Sequence, residues 1–300
     1  EKPLSDLHPV SPFRKGPFDS QRYLKNLAPK ARLYRRRKSR CQLNSAVSLV
    51  TFVPCDPQLS ISTSALFSHR PDLIVQFERA SDATLLMWQF LYSLLLTFSL
   101  PFIVLRLLLK SVVSPAYRVR IGERFSYFTA PEFDATKTTV IWLHAVSVGE
   151  TMAAAPLVKS LQAKHSDLRF AVTTTTPTGS DRVRSLFGQT VFHVYAPYDL
   201  DFVLRRFLKR IKPDLLILME TEMWPNTIAA CKRQGIKIML ANARLSEKSA
   251  LGYSRAATLS SQMLSAIDAI SAQSQQDAER LFALGAELSA VEVTGSLKFH

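Results

Sequence analysis

Two glutamates at the mouths of loops are the residues of this chain best placed to do chemistry. Glu150 closes the stretch His144-Ala145-Val146-Ser147-Val148-Gly149-Glu150. It lies just after the apolar run Thr139-Val140-Ile141-Trp142-Leu143 and just before a helix-like segment, 152–163. The turn has neither G-x-G-x-x-G nor a phosphate-cradling G-x-x-x-x-G-K, so it offers a carboxylate where a glycine-rich cradle would stand. A helix's first turn favours an acid by about 0.3–1 kcal/mol, which by itself accounts for Glu150. The same field keeps the carboxylate ionised near neutral pH, as a general base requires. Glu220 closes the apolar run Leu215-Leu216-Ile217-Leu218-Met219, where a bare carboxylate needs a partner or a task. A salt bridge or a cap on the next helix is its plainer explanation.

Further polar clusters fall at other strand ends. Thr173-Thr174-Thr175-Thr176-Pro177-Thr178-Gly179-Ser180 is hydroxyl-rich and enters a helix at Asp181. It reads as a turn with a helix cap, Ser180 or Asp181, or as a site for an anionic or hydroxyl-rich ligand. Glu220-Thr221-Glu222-Met223-Trp224-Pro225-Asn226 and Thr294-Gly295-Ser296-Leu297-Lys298-Phe299 follow two more strands. Asp199-Leu200-Asp201 imitates an Asp-x-Asp metal motif, but it opens the helix over 202–211, and capping accounts for it better. The six histidines show no ligand spacing, and no metal is assigned. His144 is expected to be a packing or hydrogen-bonding residue at a strand end.

The elements that must position these groups alternate regularly. Strands are expected at Thr139–His144, 170–175, 191–195, Leu215–Met219, 236–241, Ala269–Ala272 and 291–294, with helical patterns between them, among them 202–211, 227–234 and 275–284. That alternation predicts an α/β fold with a parallel sheet covered by helices on both faces. Ligands of such sheets bind beyond the carboxyl ends of the strands, where the polar clusters fall.

The chain has 300 residues, 47% of them hydrophobic, and a net charge of +14. Half of that charge lies in residues 1–86, which include the cluster Arg35, Arg36, Arg37, Lys38 and Arg40 and show no sustained period. This segment is expected to be a low-order extension ahead of the true start at Met87, or else a basic arm for nucleic acid or membrane. Three cysteines without C-x-x-C spacing fit neither a disulfide framework nor a zinc site. Residues 83–105 carry no charge, and about 20 apolar residues suffice to cross a bilayer as a helix. Trp88 and Tyr92 suit an interfacial belt, and Arg106, Lys110, Arg118 and Arg120 follow as positive flanks that stay in the cytoplasm. Residues 87–110 therefore read as a single amino-terminal anchor, spanning or lying on the surface, with the following domain inside the cell. Pro101 keeps a buried core helix open as the alternative. The helix over 202–211 is basic and amphipathic. It either packs on the sheet with a solvated face or rests its cations on anionic lipid.

Read together, Ala116-Tyr117-Arg118, Gly122-Glu123-Arg124, the run 144–150, Thr174 to Ser180, Tyr195-Ala196-Pro197-Tyr198-Asp199, Met219 to Asn226, Ala241-Asn242-Ala243-Arg244-Leu245-Ser246 and Val293 to Phe299 resemble one family in order. The run from Met87 to Phe299 is similar to the amino-terminal half of the 3-deoxy-D-manno-octulosonic acid (Kdo) transferases. The resemblance implies a GT-B fold: two Rossmann-like domains across a cleft, with the acceptor on the first. It implies inverting, metal-independent transfer of Kdo from CMP-Kdo to the lipid A precursor (lipid IVA), without a cofactor, on the cytoplasmic face of the inner membrane. By that likeness Glu150 is the general base, and Glu220 and Lys298 stabilise the transition state. Ser147, Gly149, Thr176, Thr178, Gly179, Ser180, Glu222, Asn226 and Arg244 are assigned to substrate contacts.

Residues 111–300 are then expected to be the acceptor domain. The donor-binding domain would lie beyond His300, so residues 1–300 alone are expected to give no transfer. Two rivals remain: another GT-B enzyme that glycosylates a membrane lipid from a UDP-sugar, and a basic, membrane-tethered module whose arm grips nucleic acid. The arm has little aromatic interleaving, and no nucleic-acid partner is expected.

Overall fold

In the computed structural model we describe residues 71–131, 133 and 138–297, and of 71–86 only the helical backbone. Helix α1 (Pro71–Val113) is followed by two 3₁₀ turns, Pro115–Tyr117 and Ile121–Phe125. The rest alternates: β1 (Thr139–His144), α2 (Val148–Lys164), β2 (Leu168–Thr174), α3 (Pro177–Phe187), β3 (Phe192–Tyr195), α4 (Asp201–Ile211), β4 (Leu215–Met219), α5 (Pro225–Arg233) and β5 (Lys237–Ala243). The series closes with α6 (Glu247–Ser254), α7 (Ala257–Ser265), β6 (Ala269–Ala272), α8 (Gln275–Ala283) and β7 (Val291–Val293).

All seven strands are parallel, in the order β3-β2-β1-β4-β5-β6-β7. This is the expected α/β architecture, with every predicted strand present. Successive residues of a strand point to opposite faces, and here both faces are covered. Ile141 and Leu143 of β1 pack with Val158, Leu161 and Phe170 on one side. Val140 and Trp142 pack with Leu204, Phe207 and Leu216 on the other. Trp142, Phe170 and Phe207 are wholly or almost wholly enclosed, each worth about 1.5–3 kcal/mol of burial. The near-continuous apolar runs of β1 and β4 are therefore those of central strands.

The strand order reverses direction between β1 and β4, whose residues pair from Ile141↔Leu215 to His144↔Leu218. In sheets of this kind the ligand-binding crevice lies at such a switch point, beyond the carboxyl ends of the two strands. The sequence places Glu150 after one of them and Glu220 after the other.

Helix α1 begins at Pro71, so residues 71–86 continue the helix expected over 87–110. Its part Met87–Val113 is long and apolar enough to cross a membrane, with mean hydropathy 1.9, and its apolar window is not buried. Among the described residues, then, α1 is not a buried core helix. Residues 1–70, with the Arg35–Arg40 cluster, lie outside the described residues.

Candidate functional site

Glu150 is held by its own loop. Ser147 caps α2, accepting the Glu150 N–H at 3.2 Å and donating its hydroxyl to Glu150 Oε1 at 2.7 Å. The Val146 N–H donates to Oε2 at 2.8 Å. This is a capping-box exchange in which the acid reaches back one residue further than usual. The sequence therefore folds a helix start that also fixes a carboxylate at the crevice, 6 % exposed.

Burial lifts the Glu150 pKa from 4.5 to about 7, against the Ser147 and Val146 hydrogen bonds, and the Glu222 and Glu220 charges raise it further. The expectation that the helix field keeps this carboxylate ionised near neutral pH meets an opposing effect: burial raises its pKa toward neutrality. A carboxylate poised near 7 suits proton abstraction at neutral pH, because it is partly ionised and still basic enough to pull.

Glu222 sits in the same electrostatic neighbourhood. Burial raises its pKa, Trp224 Nε1–H opposes this by donating to Oε2 at 3.1 Å, and the Glu220 charge adds to the rise. Glu220 has a left-handed backbone, φ 56°, and its N–H donates to Ala241 O at 2.9 Å. A non-glycine residue held there costs about 1–2 kcal/mol. Asn242, at the end of the neighbouring strand, has the same φ of 56°. Three glutamates from two strand ends thus share one corner.

The corner is braced from behind. Thr173 Oγ1 lies 2.9 Å from both Trp142 Nε1 and His144 Nδ1. His144 is fully buried, which pushes its pKa down to about 3, so it stays neutral. Its ring meets Trp224 edge to face. The expectation of a packing histidine at a strand end holds.

The Thr176–Ser180 cluster is largely architectural. Thr176, not the expected Ser180 or Asp181, caps α3 by accepting the Gly179 N–H at 3.1 Å, because the helix already starts at Pro177. A Cβ on Gly179 would lie 3.1 Å from Thr176 Oγ1 and 3.2 Å from Thr174 Cβ, so this glycine lets helix and strand approach closely. Ser180 is buried and receives Arg120 Nη1–H at 3.1 Å, while Thr178 is exposed. Gly149 is also exposed, and a Cβ there would meet only Ser147 Oγ at 3.9 Å.

Asp199 departs from the sequence reading. It caps α5, not α4. Its Oδ1 accepts the Thr227 N–H and hydroxyl at 2.7 and 2.6 Å, and Oδ2 accepts the Asn226 N–H and the Tyr92 hydroxyl, both at 3.0 Å. The N-cap of α4 is Leu200, which gives no side-chain cap, and Asp201 pairs with Arg205 and Arg233. Asn226 is buried and bonds Asp199 O at 2.6 Å and Ser93 Oγ at 2.9 Å, so its amide serves the α1 contact.

Arg244 is exposed and lines an open depression of about 570 Å³ with Lys248, Ser274, Arg280 and Ser296, away from Glu150. Lys298 lies outside the described residues. Leu297, just before it, donates its N–H to Asn242 Oδ1 at 3.0 Å.

Sequence reasoning missed the role of Gly122-Glu123-Arg124. Glu123 Oε2 accepts the Tyr195 N–H at 2.9 Å, Arg124 donates to Thr175 O at 2.8 Å, and both Arg120 and Arg124 lie over the Tyr195 ring. These residues fasten the entry segment to the ends of β2 and β3. Among the described residues no group of three or more His, Cys, Asp or Glu is arranged to hold a metal ion.

The family model described as 3-Deoxy-D-manno-octulosonic-acid transferase (kdotransferase) matches residues 119–300. The chain is 41% identical over 213 residues to the 3-deoxy-D-manno-octulosonic acid transferase of Haemophilus influenzae, covering 71% of this chain and 49% of that protein. It is 40% identical over 164 residues to that of Bordetella pertussis, covering 53% and 37%. With that of Chlamydophila psittaci it shares 31% over 212 residues, covering 70% and 48%. The chain spans about half the length of the curated relatives it matches, or less. A crystal structure of UDP-N-acetylglucosamine 2-epimerase superposes with TM-score 0.42 at 16% identity, covering 54% of this chain and 49% of that one.

Proposed function

Because the chain belongs to the Kdo transferase family, we propose that residues 111–300 form the acceptor-binding half of a GT-B enzyme that moves Kdo from CMP-Kdo to lipid IVA. In this reading the transfer is inverting and needs no metal or cofactor. The observation that carries the proposal is Glu150: a carboxylate locked at the switch-point crevice by Val146 and Ser147, with its pKa near 7. It takes the proton from the acceptor hydroxyl as that oxygen attacks the anomeric carbon of Kdo and CMP leaves. A positive oxocarbenium-like sugar develops on the way. Glu220 and Glu222, in the same corner, supply negative field to it, and preorganised charge of this kind lowers the barrier. Lys298 is assigned to the departing phosphate or the Kdo carboxylate.

Ser147, Gly149 and Thr178 are assigned to substrate contacts in this reading, and so is Arg244, which lies in a separate open depression. The donor contacts come from the part of the relatives' length that this chain does not span. Residues 1–300 alone are therefore expected to give no turnover. The exposed apolar helix and its cationic flank, Arg106 and Lys110, support a cytoplasmic-membrane location.

The test offers CMP-Kdo and UDP-sugars in parallel to the protein with a donor-binding half present, using lipid IVA as acceptor. Kdo transfer abolished by Glu150→Gln is the expected result. Transfer from a UDP-sugar instead, or substantial residual turnover in the variant, would refute the assignment.

A further inference from the structure

From the placement of α1 we infer that this helix does not cross the bilayer but lies in the plane of the membrane interface, clamped lengthwise to the domain with both ends on one side. The inference rests on the membrane reading above and specifies its geometry.

Three observations carry it. The first is where α1 touches the domain. Its polar contacts come from within the uncharged stretch 83–105. Tyr92 donates to Asp199 Oδ2 at 3.0 Å, Ser93 Oγ reaches Asn226 Oδ1 at 3.1 Å, and Gln89 Nε2 donates to the same oxygen at 3.3 Å. A span centred on the uncharged stretch 83–105 would put these residues in hydrocarbon, whereas here they are fixed to buried polar groups at the start of α5.

The second is the return path. Ser93 to Val113 is about 30 Å of helix, the full thickness of a hydrocarbon core. Seven residues later Arg120 is back on the domain, donating to Ser180 Oγ at 3.1 Å and His193 O at 3.0 Å. Seven residues reach about 25 Å when fully extended, and the Pro115–Tyr117 turn shortens that. A helix standing across the bilayer from Ser93 would pull Arg120, Ser180 and His193 into the hydrocarbon with it.

The third is sidedness. Tyr92, Leu96, Ser99, Ile103 and Leu107 are half-buried and Ser111 is buried, at spacings of three and four, and α1 packs on α5 and α7. The opposite stripe, Leu91, Leu95, Phe98, Phe102, Leu105 and Leu109, recurs with the same spacing and is exposed, Phe98 by 70 % and Phe102 by 74 %. Arg106 and Lys110 are exposed beside this stripe, placed to meet lipid phosphates while their stems follow the apolar surface. Around Gln89–Ser93 one face of α1 meets the domain, and the exposed stripe opposite matches a helix sunk to the headgroup boundary. The occupant of that face is an anionic bilayer surface.

The experiment uses the full chain with Cys41→Ser and Cys55→Ser, leaving buried Cys231, and adds either Ser81→Cys or Val119→Cys. Each variant is produced in a Gram-negative host and treated with a membrane-impermeant maleimide in spheroplasts and in inverted vesicles. Both cysteines should react only in inverted vesicles. Labelling of position 81 from outside and 119 from inside overturns the in-plane helix while leaving the membrane reading intact. Recovery of the chain in the soluble fraction overturns both. Separately, Phe98→Asp with Phe102→Asp, checked for native circular dichroism, should move the chain from pellet to supernatant. Retention in the pellet means the stripe is not the lipid contact, and the proposal fails.

Discussion

The imidazole of His144 meets the indole of Trp224 edge to face, with ring centroids 4.6 Å apart and planes at 77°. This contact joins the end of β1 to the loop after β4. The indole N–H is thereby aimed at Glu222. Trp224→Phe keeps the ring contact and removes the donor. Losing a hydrogen bond to a charged group costs about 1.5–3 kcal/mol. Transfer should fall about tenfold or more with far-UV circular dichroism and the thermal midpoint retained. An unchanged rate would show that Glu222 takes no part.

The Glu150 pKa near 7 sets the pH profile. A general base works deprotonated, so kcat/KM should rise with pH through about 7 and level off above it. Ser147→Ala removes a hydrogen bond that favours the ionised form, so the rising limb should move to higher pH. The lost cap should also cost about 1 kcal/mol of stability. A profile that keeps its midpoint in Ser147→Ala would separate the limb from Glu150.

The same shift links to stability, with a definite sign. The folded state holds the Glu150 proton more tightly than the unfolded state, for which the usual value is 4.5. Stability from this group is therefore present below pH 4.5 and lost as pH rises to about 7. The full shift corresponds to about 3 kcal/mol; solvent contact at the crevice reduces this to about 2 kcal/mol. Denaturant titrations of wild type and Glu150→Gln at pH 4.5 and 8 should differ by that amount, with the wild type losing more. Parallel pH dependence would contradict the burial argument.

Two glycines make opposite predictions. Gly179→Ala drives a methyl into Thr176 and Thr174 and should destabilise by about 1–3 kcal/mol. Gly149→Ala meets open space in the first turn of α2 and should stabilise by up to about 1 kcal/mol. If Gly149→Ala nevertheless loses activity with a higher acceptor KM, substrate approaches that backbone. Thermal melts alongside kinetics distinguish the cases.

Asp199→Ala leaves the first N–H groups of α5 and the Tyr92 hydroxyl without their acceptor. Buried donors stranded in this way cost about 1–3 kcal/mol each. Unfolding should come at markedly lower denaturant, and proteolysis near Tyr92 should accelerate. Tyr92→Phe, which removes one donor only, should show the second effect with a smaller first.

The sheet was readable because both of its faces are buried: β1, β4 and β6 announce themselves as apolar or small-residue runs whose ends are polar. Glu150 and Glu220 stood out because a carboxylate after such a run has few reasons to be there. What sequence spacing could not reveal was partnership across long separations. Asp199 lies beside Leu200 and Asp201 in the chain, yet its donors are on residues 226 and 227 and at Tyr92. Capping chemistry was recognisable, but which helix it serves is a tertiary fact. The pull of burial on Glu150 was not legible for a related reason: the helix field is local, whereas burial depends on how β4 and its loop close over the site. Hydropathy found α1 by averaging around its circumference, and so could not resolve its two faces.

The central position of β1 also sets an order of events during synthesis. β1 is made first among the strands, yet its two neighbours are β2 and β4. A nascent chain that has emerged as far as Tyr195 can zip β1 to β2 and β2 to β3, but leaves one edge of β1 with unpaired backbone groups. That edge closes only when Leu215–Met219 arrives, some seventy residues after β1 is complete. The strand that closes it carries Glu220 and Glu222 in on its trailing loop. The acidic corner therefore forms only when the seam between β1 and β4 closes, joining the two halves of the sheet.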